Sequence, residues 1–349
     1  MSSLTRADAE AVLRAVPELE RLRGRRLLLT GGTGFLGCWL LETLAALNDA
    51  GDPPCRVYLP TRDIPAFAAR APHLAARPEF VTMPGDVASF AYPDEGCDYV
   101  IHAAAPASPL VAPLAAGETI VTGTRHVLDL AVRHSANRVL FVSSGAVYGK
   151  QSPNVERMSE EYPGAPDLRD TRATYGEAKR YAELLCLNAQ AAHGLHVTIA
   201  RPFTFAGAYQ SLDAGFAVTD LVRDALAGGP LRIRGDGTTI RSYCSGADLA
   251  HALWAILLRG QPARAYNVGS DAPIAIADLA REVVRAVGRP LAVECARQPE
   301  PGALPDRYVP DTSRLADELG VRPHFSLQHA LAQLIAWSAE KGATPCVTR

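Results

Sequence analysis

The sequence has no long hydrophobic run. Its most apolar later segment, LWAILL at Leu253 to Leu258, falls far short of the roughly 20 residues that a bilayer-spanning helix needs, so no transmembrane helix is expected. The amino-terminal stretch MSSLTRADAEAVLRAVPELERLRG lacks an apolar core flanked by basic residues. It does not read as a secretory signal, which makes the cytoplasm the expected compartment. An excess of charge of either sign is missing too: 35 Lys and Arg stand against 37 Asp and Glu, for a net charge of −2. Proteins that bind nucleic-acid backbones or anionic lipid usually carry a basic surplus, so neither partner is expected. Cysteine is present but unorganised. Cys38, Cys55, Cys97, Cys186, Cys244, Cys295 and Cys346 show no CxxC spacing and no histidine at metal-ligand spacing. They read as reduced thiols, and no metal site is expected.

What is there is an ordinary globular composition, 48% hydrophobic and 21% charged over 349 residues, enough for two domains or one domain with an annex. Near the amino terminus, Thr5 and Asp8 followed by Val12, Leu13, Val16, Leu19 and Leu22 predict a capped amphipathic helix that Pro17 bends or breaks. From Arg26 onward, strand-length apolar runs alternate with helical patterns. The runs are RLLLT (26–30), RVYL (56–59), EFVTM (79–83), DYVIHA (98–103), RVLFVS (138–143) and HVTIAR (196–201). Between them, Leu36, Leu40, Leu41, Leu44 and Leu47 form one helical stripe, and 114–134 and 174–192 supply two more. Strands alternating with helices predict a Rossmann-type, doubly wound parallel sheet that binds ligands beyond the carboxyl ends of its strands.

Straight after the first predicted strand comes GGTGFLG, with Gly31, Gly34 and Gly37 three residues apart. Glycine at that place allows a tight turn and a close approach of backbone to a pyrophosphate, while the helix amino terminus offers free N–H groups to the anion. Both flanks have the required type, so a dinucleotide is the expected occupant. Further along, YGEAK places Tyr175 and Lys179 four residues apart, on one face of a helix. A cation there would favour the phenolate and draw the tyrosine pKa down toward working pH.

GxxGxxG after a first strand resembles the short-chain dehydrogenase/reductase superfamily. GDV (85–87), HAAAP (102–106), SSGAVYG (143–149) and the Tyr-x-x-x-Lys of YGEAK follow in the order expected of it. Downstream, RPFTFAG (201–207), GDGTTIRSYCSGADLAHAL (235–253), YNVGS (266–270) and PDRYVPDTSRLADELG (305–320) resemble the extended, nucleotide-sugar epimerase/dehydratase branch, to which UDP-galactose 4-epimerase belongs. The resemblance implies a helical extension over 1–24, an NAD(P)-binding domain over 25–200, and a smaller mixed α/β substrate domain mainly over 201–349, with some segments returning to the first. It implies a cofactor cradle of Gly31, Thr33, Gly34, Phe35, Leu36 and Gly37 at the turn. Thr61 and Arg62 would stand at the second strand end, Asp86 and Val87 beside the adenine, and Ala103, Ala104 and Ala105 along the cleft. Ser143, Tyr175, Lys179 and Pro202 would meet the nicotinamide half.

The implied catalytic roles are Tyr175 as acid/base, Lys179 gripping the ribose, and Ser144 polarising the reacting oxygen. For a nucleotide-diphosphate sugar, Ser144 and Thr204 would meet the sugar and Arg241, with Arg297 or Arg307, the diphosphate, since a guanidinium fork matches paired phosphate oxygens. Thr204 stands where many members have asparagine, and Ala208 where proline usually follows the glycine. Dehydratases of this group carry Asp-Glu after the strand-end Ser or Thr, and the decarboxylases carry Glu at the second place. Here Gly145 and Ala146 stand there. The expected chemistry is therefore hydride transfer at the sugar's fourth carbon without dehydration, by an epimerase or a 4-ketoreductase.

The alternatives are a dehydratase or decarboxylase with other acid and base groups (Glu160, Glu161 or Asp170), a reductase of a non-nucleotide alcohol or aldehyde, and a catalytically silent dinucleotide-binding protein. NAD and NADP both remain open. Pro60 and Thr61 occupy the place of the usual ribose-binding acid and Arg62 follows, which tilts toward NADP. The helices at 114–134 and 174–192 resemble those that pair in this superfamily, so a homodimer with a four-helix interface is expected.

Overall fold

Thr30 lies beside His102, at the carboxyl ends of two neighbouring parallel strands, and this pairing marks the centre of the sheet. The computed structural model describes residues 3–105 and 112–342. Its main sheet contains β1 (Arg26–Thr30), β2 (Arg56–Thr61), β3 (Phe80–Pro84), β4 (Tyr99–His102), β5 (Arg138–Val142) and β6 (Val197–Pro202), with a seventh strand at Ala265–Val268. Every pairing in it is parallel, and the order is Ala265–Val268, β6, β5, β4, β1, β2, β3. The chain winds outward from β1 in one direction and from β4 in the other. The crevice beyond those two strand ends is the topological switch point where such sheets bind ligands.

Alternation along the strands explains the layers. Leu27 and Leu29 face one side and Leu28 the other, because successive strand side chains point to opposite faces. On the first face they meet α2 (Phe35–Asp49) and the helix Gly246–Arg259; on the second, the helices Pro113–Arg133 and Thr174–His193. The sheet does not stop at residue 200, since Ala265–Val268 extends it beyond β6. A separate apolar cluster joins Ala217–Leu226, Ile276–Val287 and Leu327–Glu340 with the small pair Leu231–Ile233 and Val293–Cys295. Above the crevice, a three-stranded sheet runs Ile274–Ala275, Ile240–Arg241, Arg307–Tyr308.

The amino terminus corrects one expectation. Helix α1 (Ser3–Ala15) already contains Thr5 and Asp8, so they are not a capping pair. The Thr5 hydroxyl donates to Glu42 of α2 at 2.7 Å, and Asp8 accepts from His329 and Gln333. These long-range partners outcompete the local cap. The helix stops before Pro17, which opens a 3-10 turn, Pro17–Leu22. Among the described residues no helix is long and apolar enough to cross a membrane and no cluster of metal-type ligands occurs. Cys38, Cys55, Cys97, Cys186 and Cys244 are buried free thiols and Cys295 is exposed, while Cys346 and Pro106 lie outside the described residues.

Candidate active site

The glycine turn is built as its spacing requires. Gly31 has φ +70°, and a Cβ there would lie 2.7 Å from the Ala103 carbonyl carbon and oxygen and 2.8 Å from Ala104 N. The turn is thus pressed against the end of β4, with Ala103 and Ala104 beside it. Gly34 precedes the first turn of α2 without a side-chain cap, leaving helix N–H groups for an anion. Gly37 packs on the backbone of Gly32, where a Cβ would approach to 2.3 Å. Phe35 stacks on Phe205 with centroids 4.6 Å apart, while Leu36 packs on the core. This cradle fits a dinucleotide pyrophosphate.

At the carboxyl end of β2, Thr33 and Thr61 bring their hydroxyls to 3.4 Å. Asp63 is committed locally: its carboxylate accepts from Ala66 N at 2.8 Å and caps the helix Ile64–Arg70. Arg62 is largely exposed, 3.8 Å from Asp86, whose other oxygen accepts from Ala88 N. Val87 packs where a side chain on Gly123 would sit. Arg70, which sequence reasoning did not single out, donates to the Thr33 carbonyl. Two guanidinium groups therefore border this corner.

The chemical end is assembled from three elements. β5 runs out at Val142, and Ser144 then caps the 3-10 turn Gly145–Tyr148 by accepting from Ala146 N at 3.1 Å. The helix Thr174–His193 starts against this turn because Gly176 has no side chain; a Cβ there would meet Ala146 O at 2.6 Å. Tyr175 is thereby brought to Ser144, whose hydroxyl interacts with its phenol. Tyr308 arrives from the three-stranded sheet and packs against the same turn at Gly145. Its hydroxyl occupies the space that a Cβ on Gly145 would need, 2.3 Å away, and its ring packs on Phe203. Sequence reasoning quoted the segment holding Tyr308 but selected only its arginine, because nothing local reveals the partner.

The expected influence of Lys179 on Tyr175 is not found. Lys179 is fully buried, donates to the Val142 carbonyl at 2.8 Å and lies over the Phe141 ring. Burial pushes its ammonium down to about 8. Tyr175 is shifted upward instead, because burial outweighs the hydrogen bond from Ser144. The ammonium is spent on a carbonyl, so the desolvation of the phenol dominates. His102, between Thr30 (2.7 Å) and Thr124 (3.1 Å), is pushed down to about 3 by burial and by the charge of Lys179. It remains neutral.

Ser143 turns inward. Its hydroxyl donates to Glu183 at 2.5 Å and its N–H to Ala200 O, so the side chain supports the strand end rather than facing a cofactor. Glu183 also takes a bidentate pair from Arg201, at 2.9 and 2.6 Å, and Arg201 reaches Tyr148 at 2.8 Å. Pro202 closes β6 beside Val268.

On the substrate side, Thr204 donates to the Ser242 carbonyl. Arg241 lies over the Tyr308 ring, 5.9 Å from its centroid, and donates to Asp306 at 2.9 Å. Arg307 is its neighbour on the same small sheet. Arg297 sits apart in an exposed segment, its N–H bound to Gly235 O and its charge near Asp236. The substitute acids are all engaged elsewhere. Glu160 accepts from Asn267 N at 2.7 Å in a closed site, Glu161 pairs with Arg314, and Asp170 pairs with Arg172 at 2.7 Å.

This cradle, followed by Ser144 on the strand-end turn and by Tyr175 and Lys179 on the helix beside it, defines a Rossmann-type dinucleotide-binding fold. Residues 27–269 match the NAD dependent epimerase/dehydratase family, and the chain belongs to it. It is 30% identical over 309 residues to UDP-glucuronic acid decarboxylase 6 of Arabidopsis thaliana, covering 88% of this chain and 86% of that protein. To UDP-glucuronic acid decarboxylase 1 of Xenopus tropicalis it is 30% identical, over 89% and 71%. The dTDP-glucose 4,6-dehydratase of Streptomyces venezuelae, solved with NAD, superposes with a TM-score of 0.76 at 25% identity over 90% of this chain and 97% of that one. The UDP-glucuronic acid 4-epimerase of Bacillus cereus shares the fold, with a TM-score of 0.76 at 23% identity over 90% and 99%.

Proposed function

We propose that this enzyme transfers hydride at the fourth carbon of a nucleoside diphosphate sugar without removing water, as an epimerase or a 4-ketoreductase. One observation carries the reading: Ser144 and Tyr175 meet at the cleft while Gly145 and Ala146 stand where an acidic pair would be, and Tyr308 fills the space that Gly145 leaves. Tyr175 takes the proton from the sugar hydroxyl or returns it to the ketone. Ser144 holds the same oxygen, and Lys179 anchors the ribose from below. A bound nicotinamide supplies the hydride acceptor or donor. Arg241, on the face of the small sheet that Tyr308 shares, meets the diphosphate, Arg307, in register with Ile240, projects to the other face, and Thr204 lines the sugar side.

The identity to UDP-glucuronic acid decarboxylases favours a second reading. Oxidising the fourth carbon of a uronic sugar makes a β-keto acid, which loses carbon dioxide without the acid pair that water elimination needs. Ala146 in place of the glutamate implied for decarboxylases weighs against it. Incubation with NAD or NADP and a panel of UDP-glucose, UDP-glucuronate, dTDP-glucose and GDP-mannose, followed by mass spectrometry, separates them. An isobaric epimer, or a two-hydrogen gain from a 4-keto sugar, supports the first reading. Loss of carbon dioxide supports the second, and loss of water overturns both.

Arg70 at the Thr33 carbonyl and Arg62 near Asp86, with Asp63 committed to a helix cap, support NADP over NAD. Tighter binding of NAD, unaffected by Arg62→Ala, would overturn this. Leu114, Tyr181 and Leu184 are exposed on the two packed helices Pro113–Arg133 and Thr174–His193. They support a homodimer built from four helices, which light scattering tests. The free thiols fit a reducing, cytoplasmic setting.

A further inference from the structure

Two consecutive residues at the end of β5 are held by two residues one turn apart on a single helix. The Val142 carbonyl accepts from Lys179 at 2.8 Å, and the Ser143 hydroxyl donates to Glu183 at 2.5 Å. Tyr175, Lys179 and Glu183 follow at intervals of four in the helix Thr174–His193, which stacks them along one side. Ser144 is the next residue of the chain.

The far end of its turn is fixed to the same carboxylate through Arg201. That guanidinium grips Glu183 from two nitrogens, at 2.9 and 2.6 Å, and its remaining nitrogen donates to the Tyr148 hydroxyl at 2.8 Å. Tyr148 closes the turn Gly145–Tyr148, and its hydroxyl donates in turn to Asn267 Oδ1 at 2.8 Å. Glu183 and Arg201 are both largely buried, and a buried ion pair adds little stability by itself, because desolvation can exceed the attraction. What this one secures is position, since residues 143 and 148, on either side of Ser144, are both tied to it.

The pair also borders a charge that needs support. Lys179 is fully buried, and its carbonyl partner bears no formal charge. Facing the ammonium are Tyr175, Glu183 and Cys186 from its own helix and His102 from β4, with Arg201 of β6 bound behind Glu183. Burial keeps the Tyr175 phenol and the Cys186 thiol protonated and His102 unprotonated. Glu183 is therefore the anion of this group.

We propose that Glu183 is a positioning residue for Lys179 and Ser144: gripped by Arg201 and bound to Ser143, it fixes the strand end that receives the ammonium and leads into the serine, and it is the counter-charge that keeps Lys179 protonated. This rests on the reading of Lys179 as the ribose anchor and Ser144 as the holder of the sugar oxygen. Without the carboxylate, Arg201 is left uncompensated next to the helix and the ammonium loses its opposing charge.

The test uses the scarcity of lysine. The chain has three, of which Lys150 and Lys341 are exposed. In the full chain saturated with NAD and labelled with 13C at the lysine ε-carbons, Lys179 is thus read as its own titrating signal, assigned by its loss in Lys179→Met. Glu183→Gln, which keeps the shape and removes the charge, lowers the Lys179 midpoint by half a pH unit or more, about a threefold gain in acidity. Arg201→Met, which frees the carboxylate, raises it. A pair that served packing alone would admit water to the ammonium in either variant and raise both midpoints. On an identified substrate, Glu183→Gln lowers kcat with the KM of the nucleotide sugar little changed. An unchanged or higher midpoint in Glu183→Gln overturns the proposal; should that variant not fold, an unchanged or lower midpoint in Arg201→Met does so. The titration needs no substrate, so it stands apart from the reading above, which fails if Tyr175→Phe turns over like the parent.

Discussion

Lys179 Nζ donates to the Val142 carbonyl at 2.8 Å, at the last residue of β5. A buried ammonium is thus held by one carbonyl and the face of Phe141. Its pKa falls from 10.5 to about 8, whereas the unfolded chain keeps the proton up to its ordinary value. Between those two values unfolding takes up a proton, so this group's contribution to stability rises with pH across that window and is unfavourable below it. Replacing Lys179 by Met should therefore stabilise the cofactor-free protein relative to the parent most at neutral pH, with the advantage shrinking between about pH 8 and 10.5. Parallel melting curves across this range check it; a constant difference contradicts it.

Tyr175→Phe should reduce turnover by roughly 10²-fold or more while leaving cofactor binding nearly intact, because a ring that still packs loses only its hydroxyl. Steady-state rates and cofactor titration separate the two effects. Parent-like turnover would remove Tyr175 from the mechanism.

Gly31→Ala should abolish the thermal shift produced by NAD or NADP. The backbone there has φ +70° and the added carbon meets Ala103 at 2.7 Å, so the turn must move away from the strand end. A left-handed residue with a side chain costs about 1–2 kcal/mol before any clash, and a total of about 2 kcal/mol or more is expected in denaturant unfolding.

Asp306→Asn should tighten the binding of UDP. Asp306 neutralises Arg241 at 2.9 Å, and a partly exposed pair of this kind is worth up to about 1 kcal/mol. Releasing the guanidinium should improve affinity by up to about fivefold, and Arg241→Ala should weaken it. Calorimetric titration decides the matter, and weaker binding in Asp306→Asn would show that the carboxylate holds Arg241 in its working position.

Much of this protein was determined by local order in its sequence. The six strand runs beginning at Arg26 and ending at Arg201 fold within a residue or two of their expected bounds, because burial on both faces demands continuous apolar residues. The glycine spacing and the Tyr-x-x-x-Lys interval are likewise local signals, each tied to one turn or one helix face. Tertiary structure decided the rest. Ala265–Val268 has the polar Asn267 inside its short apolar run, and it becomes a strand by completing the edge of β6. Thr5 left its expected cap for Glu42, and the Lys179 ammonium went to Val142 O rather than toward the Tyr175 phenol. The packing of Tyr308 against the turn at Gly145 depends on a separate small sheet, on Gln151 and on the missing side chain of Gly145. Such contacts join groups far apart in the chain. Their energies come from burial and geometry that exist only once the layers have packed.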